Sequence, residues 1–405
     1  MKHILVLGGS VSLLEYLKDQ NLKYTVVLSI KEEYNSCYLS DAEEVFILNY
    51  ENYDSVLKTI KFLIENYRIE GILCLSEKDI PIAAKIAKEL DFYFVTESAA
   101  RISLDKQLMR EKLNNNPNLK VEYGIVRSFK DIETFIIDSN KQYILKPINL
   151  TGSKKVNKIV STQCLEFLKS SESIEETDFP LIIEEFLDGT EYSIETFSVK
   201  GRHKVIGITK KIKNTSTFIE YGHSFPDYSI NNEVKQKIYD FTIEVLNNIG
   251  LLDGPSHTEI MYTCKGPKLI ETHTRFGGDN IPELIKLSTG IDLPSSYINL
   301  FINNKMPEFM DSEIYYNNVA AIRYFELDEG YLEEINGIEE VQKMKNVYDI
   351  KIEISPNSYI SKDNDSFDRK GYVIMVGDSI EHIENTWSKV LNIVDFKIGK
   401  KETFL

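Results

Sequence analysis

KLIETHTRFGGD, residues 268–279, is the stretch from which the rest of the chain can be read. It begins as an apolar strand, Leu269-Ile270, and then presents Glu271, His273 and Arg275. Residues two apart in a strand share a face, so a carboxylate, an imidazole and a guanidinium line one side. Gly277-Gly278 follows and lets the backbone turn sharply or approach a ligand closely. Just upstream, SHTEIM (residues 256–261) supplies a second acidic strand with Glu259. On neighbouring strands Glu259 and Glu271 would meet side by side, and facing carboxylates repel unless a proton or cations lie between them. Hard cations such as Mg²⁺ are held this way, usually with substrate phosphates completing the shell. An arginine a few residues on can clamp a phosphate or a carboxylate. The plainer alternative is a pair of strand-edge glutamates with solvated partners.

Bulk properties exclude several function classes. A chain of 405 residues is long enough for two to four packed units. Its net charge of −16 argues against a general nucleic-acid binder. Cys37, Cys74, Cys164 and Cys264 are scattered with no CxxC pair, which gives no zinc signature and suits a reducing cytosol. The start, MKHILVLGGS, is too soon interrupted for a signal peptide. No apolar run reaches the roughly 18 residues a membrane span needs. The expectation is a cytoplasmic protein without membrane or nucleic-acid partners.

The first hundred residues alternate short apolar runs with helical spacing. Strands are expected at His3–Leu7, Tyr24–Ser29, Ala42–Leu48, Gly71–Leu75 and Phe92–Val95, with helices at Ser12–Gln20, Tyr53–Tyr67 and Ile80–Leu90. That alternation predicts a parallel sheet wound on both sides. Gly8-Gly9-Ser10 lacks GxGxxG spacing and reads as a structural turn, or one touching substrate. One helix is expected over Glu97–Leu113, carrying Lys106, and another over Asp131–Ser139.

Lys146 ends the strand QYILKP, so its stem can be covered and its ammonium aimed into a cleft. TGSKK, residues 151–155, is a small-residue loop of the kind that cradles phosphate oxygens, though it is no P-loop. LIIEEFL (181–187) and EYSIE (191–195) are strands joined through Asp188-Gly189-Thr190. Backbone groups at Glu184 and Leu187 can meet an adenine edge there, and the Glu191 carboxylate can take ribose hydroxyls; an ordinary acidic hairpin is the alternative. FIEYGHSFP (218–226) brings Glu220 and His223 close together in an irregular stretch, which can orient a substrate. Helices are expected at Glu233–Leu246, Ile281–Thr289 and Ser379–Ile393, the last in a mixed unit of short strands that begins near Asn317.

Taken in order, DKQLMR, YILKP, TGSKK, IIEEFLDGTEYSIE and the paired acids resemble the ATP-grasp superfamily over essentially the whole chain. FIEYGHSFP, GPSHTEIM and ETHTRFGGDNIPEL make it most similar to the ATP-dependent L-amino-acid ligases, or dipeptide synthases. The fold this implies is α/β: an N-terminal parallel pre-ATP-grasp domain (1–100), an ATP-grasp domain (101–305) with a lid at about 120–190 and a central mixed sheet, and a small α+β C-terminal domain (306–405). The resemblance assigns Lys106, Lys146, Ser153, Glu184, Glu185, Leu187 and Glu191 to ATP. It assigns Glu259 and Glu271 to two Mg²⁺ ions, with Mn²⁺ as a substitute. Glu220, His223, Arg275 and Gly278 fall to the substrates, with Arg275 and Lys146 acting in catalysis. Many ATP-grasp enzymes have asparagine where His273 stands. Oxygen ligands suit Mg²⁺ better, so His273 is either a metal ligand or a support behind one.

The implied activity is formation of an amide between amino acids through an acyl phosphate, with release of ADP and phosphate. An ATP-grasp carboxylase that activates bicarbonate, an amine acceptor other than a free amino acid, and a non-catalytic nucleotide-binding protein on the same fold are the alternatives. The partners expected are small amino acids or amines, and a second copy of the chain in a homodimer.

Overall fold

The N-terminal sheet is built around an apolar strand buried on both faces. In this computed structural model the described residues are 1–399 apart from 19, 32–35, 137–140, 150–154, 161, 171–173, 214–218, 363–365 and 367. Strand β1 (Lys2–Leu7) is followed by helix α1 (Val11–Lys18), β2 (Leu22–Ser29), β3 (Glu44–Leu48), α2 (Tyr53–Tyr67), β4 (Ile69–Leu73) and α3 (Ile80–Glu89). The sheet order is β3-β2-β1-β4, and all its pairs are parallel. Ile4, Leu5, Val6 and Leu7 are all fully buried, which requires cover on both faces and explains why β1 shows no alternation. Gly8 ends β1 at φ +80°, and a Cβ there would stand 2.5 Å from both Ser76 and Asp79. Only glycine tolerates that turn, so its role here is packing of two strand ends.

Several expectations are corrected; among them, Glu220–Phe225, expected to be irregular, is a strand paired on both sides. Phe92–Val95 is irregular rather than a strand; Phe94 and Val95 fill the core without joining the sheet. The single helix over Glu97–Leu113 is two, α4 (Glu97–Leu104) and α5 (Lys106–Leu113). Asp105 is extended between them, and its carboxylate accepts from the Leu108 N–H at 3.0 Å. A short acid that caps competes well with one inside a helix, so the chain restarts and puts Lys106 at the first position of α5.

The next unit is an antiparallel sheet with a core of its own. It comprises β5 (Tyr123–Val126), α6 (Phe129–Phe135), β6 (Tyr143–Pro147), β7 (Asn157–Ile159), α7 (Thr162–Ser170) and β8 (Leu181–Glu185), in the order β5-β8-β6-β7. Helix α6 stops short of the expected Ser139. Val126, Ile132, Tyr143, Leu145, Ile159, Leu165, Leu181 and Ile183 pack together as a cluster separate from the main core.

The central sheet begins with β9 (Gly189–Val199), β10 (Arg202–Lys213) and β11 (Glu220–Phe225). Then come α8 (Asn232–Ile249), β12 (Gly254–Thr263), β13 (Gly266–His273), α9 (Ile281–Thr289) and α10 (Leu293–Asn303). The remaining elements are β14 (Val319–Tyr324), β15 (Gly330–Asn336), α11 (Ile338–Gln342), β16 (Val347–Ile352), β17 (Tyr359–Ile360), β18 (Gly371–Gly377), α12 (Ile380–Ile393) and β19 (Asp395–Gly399). One eight-stranded sheet runs β13-β12-β9-β10-β11-β14-β18-β16, and β17-β15-β19 form a small third layer. Because β11 pairs with β14, the sheet crosses from the central unit into the C-terminal one without a break. No helix among the described residues is long and apolar enough to cross a membrane.

Candidate active site

Strand periodicity sorts the central sheet into an apolar face and a charged one. Ile194, Ile208, Ile260 and Leu269 are buried in the main core. On the opposite face, register places His257 opposite both Glu195 and His273, and Glu259 opposite both Ser193 and Glu271. Glu259 and Glu271 are therefore direct cross-strand neighbours, as alternation in two adjacent strands requires.

Two lysines and two imidazoles surround this pair. Lys106 lies 3.3 Å from Glu271, brought there by the start of α5. Lys211, on β10, lies 2.6 Å from Glu259, 2.7 Å from Glu220 and 3.3 Å from Glu191, with only 2% of its side chain exposed. His257 contacts Glu195 through Nδ1 at 2.7 Å and Glu259 through Nε2 at 3.1 Å. His273 Nε2 lies 3.2 Å from Glu271 and its Nδ1 lies 3.0 Å from Glu77. Burial opposes ionisation of Glu259, yet Lys211 and His257 hold its carboxyl well below the usual range. Burial also opposes ionisation of Glu271, and Lys106 and His273 outweigh it. The cost of burying His257 is outweighed by Glu195 and Glu259, which push its pKa up to about 9. Two ionised carboxylates thus face each other with oxygen donors of the kind a hard divalent cation takes.

Arg275 points elsewhere than its sequence neighbours suggested. Its Nε donates to Glu77 Oε2 at 2.6 Å, its Nη2 lies 2.5 Å from the same oxygen, and its Nη1 donates to the Phe276 carbonyl. Glu77 follows β4 in the N-terminal unit; burial raises its pKa, but His273 and Arg275 pull it down to about 2. Asp279 and Glu283, the partners that proximity in sequence offers, do not pair with Arg275. Asp279 instead receives Nε2 of His223 at 2.7 Å and a two-pronged contact from Arg369 at 2.5 and 2.9 Å. Arg369 also donates to the Glu220 carbonyl at 2.8 Å, and Glu220 Oε2 lies 3.5 Å from His223. Gly277 is needed here, since a Cβ would stand 2.8 Å from His257 Nδ1, whereas Gly278 faces open space.

The remaining predicted residues lie on β6, β8, β9 and the link between β8 and β9. Lys146 contacts Glu184 at 2.8 Å, with both side chains buried. Leu187 sits in the irregular link from β8 to β9, and Glu191 lies against Lys211 and Lys213 on β10. The Glu185 carboxylate accepts from the Glu122 N–H at 3.0 Å, so it is turned toward the lid's own backbone. Ser153 and most of TGSKK lie outside the described residues, as does Phe218 of FIEYGHSFP.

Sequence reasoning left out Glu77, Lys211, His257, Arg110 and Arg369. Lys211 had a usable signal, because alternation with Thr209 puts it on the charged face. Glu77 had none, because its partners lie almost two hundred residues away.

Residues 139–283 match the ATP-grasp domain family, and residues 323–399 match the L-amino acid ligase C-terminal domain 2. Alanine–anticapsin ligase from Bacillus subtilis is 27% identical over 290 residues, covering 65% of this chain and 61% of that protein. Phosphoribosylamine–glycine ligase from Methanobrevibacter smithii is 24% identical, covering 82% of this chain and 81% of that one. An L-amino acid ligase from Bacillus licheniformis superposes with a TM-score of 0.82 at 20% identity, over 99% of both chains. The chain has the ATP-grasp fold and is similar to the L-amino-acid ligases.

Proposed function

We propose that this chain, an ATP-grasp fold similar to the L-amino-acid ligases, joins a carboxylate to an amine at the expense of ATP. The observation that carries the reading is the opposed pair Glu259 and Glu271, ringed by Lys106, Lys211, His257 and His273. Glu259 and Glu271 would hold two Mg²⁺ ions, with His273 bracing Glu271 from the side rather than ligating. Mg²⁺ bound there would supply neutralisation of the phosphate charge.

The chemistry follows in two balanced steps. A substrate carboxylate oxygen attacks the γ-phosphorus of ATP, the bond to the bridging oxygen breaks, and ADP leaves. The substrate amine then attacks the acyl-phosphate carbonyl, the C–O bond to phosphate breaks, and the amine proton leaves with the phosphate. Lys106 and Lys146 bind and orient the phosphates from two sides of the cleft. Glu191 takes the ribose, and the link at Leu187 takes the base. Arg275, braced by Glu77, stabilises the oxygen that gains charge as the amine adds. Glu220 and His223 place the amino-acid substrates, and Arg369 holds the Asp279 carboxylate on which His223 rests. Water is kept out when the lid closes over the nucleotide.

The test is phosphate release from ATP across all pairs of amino acids, with products identified by mass. An amide product with one ADP per bond is the expected result. ADP release that needs bicarbonate and no amine would replace this reading with a carboxylase.

A further inference from the structure

We propose that Arg110 is a positioning residue that fixes Lys146 in the cleft and couples its mounting to the strand carrying Glu271. The inference rests on the ligase reading for the role of Lys146 and Glu271.

Arg110 is fully buried, which is rare for a guanidinium and requires several acceptors. Its Nε donates to Glu184 Oε1 at 2.6 Å and its Nη2 to Glu184 Oε2 at 3.2 Å. The same Nη2 donates to the Ile270 carbonyl at 2.9 Å, one residue before Glu271. Glu184 Oε2 in turn lies 2.8 Å from the Lys146 ammonium. Three elements therefore meet on one side chain: helix α5, lid strand β8 and the acid-bearing strand β13.

The helix explains the arrangement. Lys106 and Arg110 are four residues apart on α5 and lie on the same face. One helix thus sends Lys106 to Glu271 and Arg110 to Glu184 and Ile270. Glu184 and Lys146 are on neighbouring antiparallel lid strands, and the register pairs Ile144 with Glu184 and Lys146 with Ile182. Lys146 already contacts Glu184 at 2.8 Å; with Arg110 present the carboxylate shares its charge with a two-pronged partner, so the ammonium can turn to a phosphate. Without Arg110, Lys146 is the one cation among the described residues still contacting the Glu184 carboxylate and is held on it more tightly. Lysine at position 110 offers a point charge, which cannot reach Glu184 twice and Ile270 as well.

The experiment uses the full chain with Arg110→Gln, Arg110→Lys and Glu184→Gln. ATP binding is measured by calorimetry with and without Mg²⁺, beside KM for ATP and kcat. Wild-type protein that fails to bind Mg²⁺–ATP sinks the ligase reading itself, so that failure is distinguishable. We expect Arg110→Gln to weaken ATP at least tenfold and to shrink the gain in affinity that Mg²⁺ brings, with kcat lowered less than KM is raised. Arg110→Lys should recover part of the loss. The double variant Arg110→Gln/Glu184→Gln should be no worse than Arg110→Gln alone, because both residues act through one ammonium. A merely structural role would lower the melting temperature and the active fraction while leaving KM and the Mg²⁺ dependence alone. If Arg110→Gln does not fold, Arg110→Lys decides, and an ATP affinity within twofold of wild type in that folded variant overturns the proposal. So does strict additivity in the double variant.

Discussion

The lid sheet and the eight-stranded sheet are both antiparallel, yet they use their second faces differently. In the lid, one face packs on a separate core of residues such as Leu145, Ile159 and Ile183, and the other carries Lys146 and Glu184. In the central sheet, one face packs into the main core and the other is a field of interlocked charge from Glu191 to His273. A body with its own core can shift as a unit without exposing apolar surface, which suits a cover over a nucleotide. A charged face spread over several strands cannot shift piecemeal, because each buried ion would lose its partner. On the proposed reading, chemistry therefore belongs on the central sheet and closure on the lid.

The sharpest way to break that division is to remove the metal that the charged face is proposed to hold. Chelation with EDTA should abolish ADP formation, and Mg²⁺ should restore it; unchanged ADP production in EDTA would remove the metal from the site. Glu271→Gln should lower kcat by about 10²–10³-fold, in line with the loss of a preorganised electrostatic group. Equal turnover in wild type and Glu271→Gln would reduce the opposed acids to structural ornament.

Arg275→Ala should cost kcat about 10²-fold while ATP affinity stays close to wild type, because Lys106, Lys146 and the link at Leu187 are untouched. Arg275→Lys should recover only part. The rival role is an inter-unit tie through Glu77, in which case Glu77→Gln and Arg275→Ala lower the melting temperature alike and spare turnover; steady-state kinetics at saturating ATP separates the two.

Lys211→Met should lower kcat by about tenfold or more and make activity more sensitive to salt, since three carboxylates would be left without their common cation. The smallest effect should come from exposed pairs. Lys237→Ala breaks a pair with Glu233 whose side chains are more than half exposed, and the denaturant unfolding midpoint should barely move.

Much of the site was legible because β-structure has a period of two. Once SHTEIM and KLIETH are neighbouring strands, Glu259 must meet Glu271 or both must turn to the core, and a carboxylate in an apolar core is too costly. Lys146 was legible for a related reason, since it closes an apolar strand. The parallel N-terminal sheet followed from alternating apolar runs and helical spacing. Where reading failed locally, the competing force is visible. Asp105 gains more from capping α5 than from sitting inside a longer helix, and Phe92–Val95 is apolar because it is buried, not because it is a strand.

Which residues carry charge, and which of them share a strand face, is written in the chain by spacing alone. Which charge meets which across the fold is not. Arg275 chose Glu77 over the nearby Asp279, Asp279 was taken by Arg369 from beyond residue 360, and Arg110 joined Glu184 to the Ile270 carbonyl. Covalent connectivity limits only near neighbours, whereas a buried ion pair forms wherever packing brings opposite charges together out of water. Those pairings were settled only when distant parts of the chain packed together.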